Sequence, residues 1–314
     1  MFVHRSGNRT ARPPGRLPRA RTRRSARSAL PVPSLLSALS VLTASLLLAP
    51  AAQASPGLRT APERDAAALS ASAATSASVP ARGSAHMGMG VLAHDGRGGT
   101  PRTGDAVQTE GVDVSGHQGS VAWSTLWGSG VKWAYTKATE GTYYTNPSFA
   151  QQYNGSYNVG MIRGAYHFAT PDTTSGAAQA DYFVDHGGGW SRDGRTLPGV
   201  LDIEWNPYGA ACYGKTPSAM VSWIGAFLSQ YRARTGRDAV IYTATSWWSD
   251  CTGDYGGFAA AHPLWIARYA ADPGTLPAGW SFHTMWQYTS SGPTVGDHDR
   301  FNGAYDRLQA LANG

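Results

Sequence analysis

GVLDIEW, residues 199–205, sets two acids two positions apart in an otherwise apolar run. In a β-strand residues i and i+2 share a face, so the Asp202 and Glu204 carboxyls project the same way from Cα atoms roughly 7 Å apart. Leu201, Ile203 and Trp205 project to the opposite face. Burying an unpaired carboxylate is expensive. Two adjacent acids raise that cost further, and one of them is expected to stay protonated near neutral pH. A neutral acid beside an ionised one is what cleavage of a glycosidic bond requires. The pair also fits a structural role, as a strand end held by backbone amides or an arginine.

The other glutamates narrow the choice of proton donor. From residue 111 onward the chain has fifteen acids, and only Glu140 and Glu204 are glutamates. Glu140, in KATEGTYY, reads as a loop acid or an ion-pair partner for Lys137.

The N-terminal third stands apart from this domain. Nine arginines occur by residue 27 with no acid, an apolar run spans Leu35–Leu48, and Ala52-Gln53-Ala54 follows. That order describes a secretory signal peptide over residues 1–54. The run is about 14 residues, short of the ~20 that span a bilayer, so no membrane anchor is expected after its removal. Taking those nine arginines from a net charge of +6 leaves −3, so the basic balance belongs to the leader and implies no nucleic-acid surface. Residues 55–110, rich in Ala, Ser, Gly and Thr, read as a disordered linker or propeptide. Residues 111–314 then form one compact domain, which holds all eleven tryptophans, Trp123 to Trp286. Its two cysteines, Cys212 and Cys251, are expected to form a disulfide in an oxidising compartment.

Within the domain, β-rich runs alternate with helical ones. Strands are predicted at Gly111–Ser115, Lys132–Lys137, Met161–Phe168, Gly199–Glu204, Asp238–Thr243, Pro263–Ala267 and Ser281–Tyr288, with a short eighth near Val295–Asp299. Helices are predicted at Ser175–His186 and Thr216–Arg234. The alternation predicts parallel βα units closed into a small barrel. Polar and aromatic residues recur at the strands' C-terminal ends: Asp113, Lys137, Tyr166, His167 and Phe168, Asp202 and Glu204, Tyr242, then Trp286, Gln287 and Tyr288. In a parallel barrel that rim is where active sites are built. His117, without a His or Cys partner nearby, reads as a turn or rim histidine. The acids of GDHD at 296–299 read alone as a metal-free polar turn, too sparse in ligands for calcium.

Taken in order, GVDVSGHQG, WAYTKATEGTYYTNPSF, GAYHFA, LDIEW, WQYTSSG and GDHDRFNG resemble glycoside hydrolase family 25, the Chalaropsis-type lysozymes, over roughly 111–314. The resemblance implies an α/β fold, an irregular TIM-like (β/α)5(β)3 barrel. It implies a secreted, extracellular muramidase that hydrolyses the β-1,4 bond between N-acetylmuramic acid and N-acetylglucosamine in bacterial peptidoglycan. Glu204 falls on the family's general acid, Asp202 on its companion aspartate and Asp113 on the first-strand aspartate. The C-terminal acid falls on Asp297, with Asp299 close behind. Substrate contacts are expected from Tyr166, Phe168, Tyr242, Trp286, Gln287 and Lys137. The substrate's 2-acetamido oxygen could itself attack the anomeric carbon, with Asp202 orienting it. No cofactor or metal is called for, and a monomer is expected. Two rivals remain, a chitinase-like hydrolase and a wall-binding lectin on a disabled barrel.

Overall fold

The structure is a computed structural model that describes residues 78–102 and 107–314. The expected signal peptide lies outside the described residues. Among the described residues there are nine strands: β1 (Thr109–Val114), β2 (Trp133–Glu140), β3 (Tyr144–Thr145), β4 (Ile162–Phe168), β5 (Val200–Asp202), β6 (Val240–Thr243), β7 (Leu264–Ala267), β8 (Met285–Thr289) and β9 (Asp297–Phe301). Eight of them close a barrel in the order β1-β2-β4-β5-β6-β7-β8-β9, and β9 pairs back onto β1. β3 is a hairpin extension of β2. The barrel pairs are parallel except those of β9, which runs antiparallel to both neighbours.

Helices α2 (Trp123–Gly128), α3 (Phe149–Asn158), α4 (Gly176–Phe183), α5 (Pro217–Thr235) and α6 (Thr245–Thr252) each lead from one barrel strand to the next. No helix separates β7, β8 and β9. Five βα units followed by three bare strands is the expected (β/α)5(β)3 barrel, and each predicted strand has its counterpart. A short α1 (Val91–His94) precedes the barrel and α7 (Tyr305–Asn313) follows it.

The local sequence explains these limits. Thr216 caps α5 by accepting from the Ala219 amide, Pro217 fixes its first turn, and Gly236 ends it with φ +71°. Met220, Trp223, Ile224, Phe227, Leu228 and Tyr231 recur at three- and four-residue steps and are all buried. Inside the barrel, the Trp265 ring stands edge-on to Trp133 and Tyr242, with centroids 5.7 and 5.4 Å away. Gly111 and Gly164 make room for this aromatic filling: a Cβ on either would lie 2.1 Å from the ring of Trp133 or Tyr135.

Cys212 and Cys251 form the expected disulfide, tying the loop after β5 to α6 across 39 positions. The chain-entropy model gives such a loop about 4 kcal/mol. Reduction should therefore lower the melting temperature by about 10 °C. The non-reduced protein should also weigh two hydrogens less than the reduced chain. Two thiols freely alkylated in the undenatured protein would contradict this.

Residues 55–110 were expected to be a disordered linker or a propeptide, and 78–102 depart from the disorder alone. They lie across the C-terminal rim of the barrel with Met87 and Val91 fully buried. Burial of two such side chains is worth about 1.5–3 kcal/mol each. The stretch is poor in apolar residues, so composition alone could not show that these two meet a prepared surface.

Candidate active site

Because β5 ends at Asp202, Glu204 stands just beyond the strand and keeps to the same face. Asp202 lies opposite Phe168 of β4 and Tyr242 of β6. Across the barrel mouth Asp113 of β1 lies opposite Asp297 of β9. Asp299, two residues further along β9, faces the same interior one step deeper, opposite Gly111. Both candidate C-terminal acids are thus in the barrel, Asp297 at the rim and Asp299 below it. The Asp299 Oδ1 accepts from the Trp265 indole at 3.2 Å.

Gln287 links these groups. Its Nε2 donates to Asp113 Oδ2 at 2.7 Å and to Asp297 Oδ2 at 3.4 Å. Its Oε1 accepts from the hydroxyls of Tyr242 at 2.6 Å and Tyr269 at 3.0 Å. One amide thereby fixes the orientation of two acids and two phenols. Tyr269 was not singled out from the sequence. It lies just past the end of β7, two residues beyond inward-facing Ala267, and that spacing is the signal that could have found it.

All five acids are buried, and each is displaced upward. Burial, helped by the charge of Asp297, raises Glu204 to about 8 against the pull of the Gly88 and Gly90 amides. Burial raises Asp297 to about 7. Asp202 is held well above the carboxylate range by burial and then by the charge of Glu204. Asp113 and Asp299 are raised by burial and by their neighbouring acids. The cluster holds fewer negative charges at neutral pH than its composition suggests, and its acids titrate as interacting sites. Both oxygens of Asp202, the Asp299 Oδ2 and the Tyr166 hydroxyl have no hydrogen-bond partner among the described residues. Unsatisfied buried groups of this kind are uncommon and mark places where a ligand can bind. Among the described residues no His, Cys, Asp and Glu cluster has a metal-binding arrangement.

The remaining expected contacts divide. Tyr166, Phe168 and Tyr242 line the interior near the acids. Lys137 faces the rim and pairs with Glu140 at 2.6 Å, with both side chains buried. Glu140 is thus the ion-pair partner anticipated for Lys137, and it also accepts from the hydroxyls of Tyr143 and Tyr208 at 2.7 and 2.6 Å. Trp286 does not join the site. It alternates with Gln287 along β8, so it faces outward and packs against Leu264 and Ile266. A strand's period of two sends one member of any adjacent pair away from the groove.

Residues 83–98 lie over these acids. The Gly88 amide donates to Glu204 Oε1 at 2.7 Å and the Gly90 amide to Oε2 at 3.3 Å. His94 stacks on Trp205 with centroids 3.9 Å apart. Clefts flank the segment on both sides. One, of about 510 Å³, is bordered by His94, Gly98, Thr245 and Tyr269. The other, of about 270 Å³, is bordered by Gly83, Ala85, His117 and Lys137. His117 approaches the Ser84 carbonyl with its ring Nε2 at 2.6 Å, a rim position as expected.

Among known proteins, Lysozyme M1 of Streptomyces globisporus is 50% identical over 241 residues, covering 74% of this chain and 82% of its own. The N,O-diacetylmuramidase of Chalaropsis sp is 49% identical over 209 residues, covering 65% of this chain and 99% of its own. The solved structure of a muramidase from Acremonium alcalophilum superposes with a TM-score of 0.65 at 54% identity, covering 65% of this chain and 99% of that one. The sequence model of glycosyl hydrolases family 25 matches residues 112–297, from β1 to the start of β9. With a five-acid barrel mouth, this topology and these relatives, the chain belongs to glycosyl hydrolase family 25 and is a glycoside hydrolase by that membership.

Proposed function

We propose that the protein is a secreted muramidase that hydrolyses the β-1,4 bond after N-acetylmuramic acid in bacterial peptidoglycan, with Glu204 as general acid. The observation that carries this reading is the pair Asp202 and Glu204 on one face at the end of β5. Glu204 is raised to about 8 there, so it can hold a proton at neutral pH. Glu204 protonates the leaving oxygen. The unpartnered oxygens of Asp202 are suited to meet the N–H of the 2-acetamido group and turn its carbonyl toward the anomeric carbon. Asp113 and Asp297, held together by Gln287, face the positive charge that develops on the sugar ring. Tyr166, Phe168 and Tyr242 offer aromatic surface to the sugar. Lys137 serves the rim through Glu140 and its contacts with the covering segment. Names of the relatives, lysozyme and muramidase, agree with this substrate class.

Mass spectrometry of the products from defined peptidoglycan tests the bond cut. New reducing ends should be N-acetylmuramic acid. N-acetylglucosamine reducing ends, or release of oligomers from chitin at a similar rate, would favour a chitinase-like enzyme. No release from either, with the wall still bound, would favour a lectin.

A further inference from the structure

We propose that residues 83–98 are an intramolecular strap that fills the substrate groove and keeps the enzyme inactive until the strap is displaced. The proposal rests on the reading of Glu204 and its companions as the sugar-cutting site. The strap meets that site atom by atom. Both oxygens of Glu204, the atoms that must reach the glycosidic oxygen, are occupied by the Gly88 and Gly90 amides at 2.7 and 3.3 Å. Gly88 returns its carbonyl to the Tyr269 hydroxyl at 3.4 Å, so it touches the same network that orients Asp113 and Asp297.

The flanks are fixed on either side. The Gly83 amide donates to Glu140 Oε1 at 2.8 Å, and Lys137 Nζ donates to the carbonyls of Gly83 and Ala85. Beyond α1, the Gly98 amide donates to the Tyr269 carbonyl at 2.9 Å. A polysaccharide threading the barrel mouth needs the volume that this backbone fills.

The barrel is complete without the strap. Thr109 to Gly314 is 206 residues, about 65% of the chain. The Chalaropsis enzyme and the Acremonium structure match just that share of this chain at 99% of their own length. The strap itself is built for close passage. Gly88 has φ +73°, and a Cβ on it would lie 2.1 Å from the Tyr269 hydroxyl. A Cβ on Gly90 would lie 2.6 Å from the Trp205 Cβ, which cannot swing aside.

Two variants of the chain carrying residues 55–314 test this, the double variant Gly88→Val/Gly90→Val and the single Val91→Asp. Both disfavour the docked strap and leave every barrel residue in place. Binding of a peptidoglycan tetrasaccharide is followed by stopped-flow tryptophan fluorescence, and kcat/KM is measured on the same substrate. Ligand affinity scales with the fraction of open groove, so both readouts should improve about tenfold or more. Affinity and rate equal to the unaltered chain, with hydrogen exchange showing the Gly88 and Gly90 region released, would overturn the strap. Tighter binding without turnover in any form would uphold the strap and remove the muramidase reading instead. Should a variant fail to fold, the chain beginning at Val107 provides the same comparison.

Discussion

Glu204→Gln is expected to lower kcat by about 10²–10⁴-fold while leaving the fold and wall binding intact. The amide has the shape of the carboxylic acid and lacks only its acidic proton, so the loss reports the missing proton. The measurement is best made in the Val91→Asp background, where the groove is open. A residual kcat above a tenth of the parent would exclude Glu204 as the acid. Glu140→Gln is the contrasting case. In the same Val91→Asp background it breaks a buried ion pair and should cost stability, about 3–5 kcal/mol, with much less effect on rate. The same assignment fixes the direction of the pH dependence. Only protonated Glu204 donates, and burial displaces the group upward, so the rate should fall as pH rises through its titration. The Glu204→Gln residual rate should lack that alkaline limb.

Asp202→Asn separates the mechanisms. If Asp202 orients the acetamido group, an asparagine keeps part of its hydrogen bonding, and the rate should fall by roughly 10²–10³-fold without vanishing. If Asp202 is a covalent nucleophile, the amide cannot attack and the first step should stop. The first outcome is the expected one, because the substrate carries its own nucleophile. Asp202 and Glu204 titrate as a coupled pair, so the asparagine variant should also displace the alkaline limb of the pH–rate profile. Trapping a glycosyl ester on Asp202 with a slow fluorinated substrate would overturn substrate assistance. Inhibition by a thiazoline analogue of the acetamido-derived ring would support it.

The barrel and most of its acids were legible because both obey short-range rules. Alternation of β-rich and helical runs set the strands, and the period of two placed Asp202 with Glu204. The same period explains the uncertainty over Asp297 and Asp299, since residues two apart on β9 both face inward. What separates them is depth, fixed by pairing with Asp113 and Gly111 on a strand far away in sequence. Trp286 shows the limit of that rule, since a strand-end position does not tell which face the side chain takes. The strap is not legible in the sequence for a different reason. Its contacts are made mainly by backbone N–H and C=O groups of glycine and alanine, which every sequence has and which no residue pattern announces.

The closing pair of the barrel has a consequence for how the molecule comes into being. β1 and β9 set Asp113 against Asp297 across 184 positions of chain, so the first and last strands must meet before the mouth exists. Contacts so far apart form late and slowly, after the loop-closure cost has been met. A polypeptide still emerging from the ribosome, or one cut short before Phe301, has its Asp202 and Glu204 but an open sheet around them. The barrel mouth is therefore assembled only after β9 has been synthesised and has paired with β1.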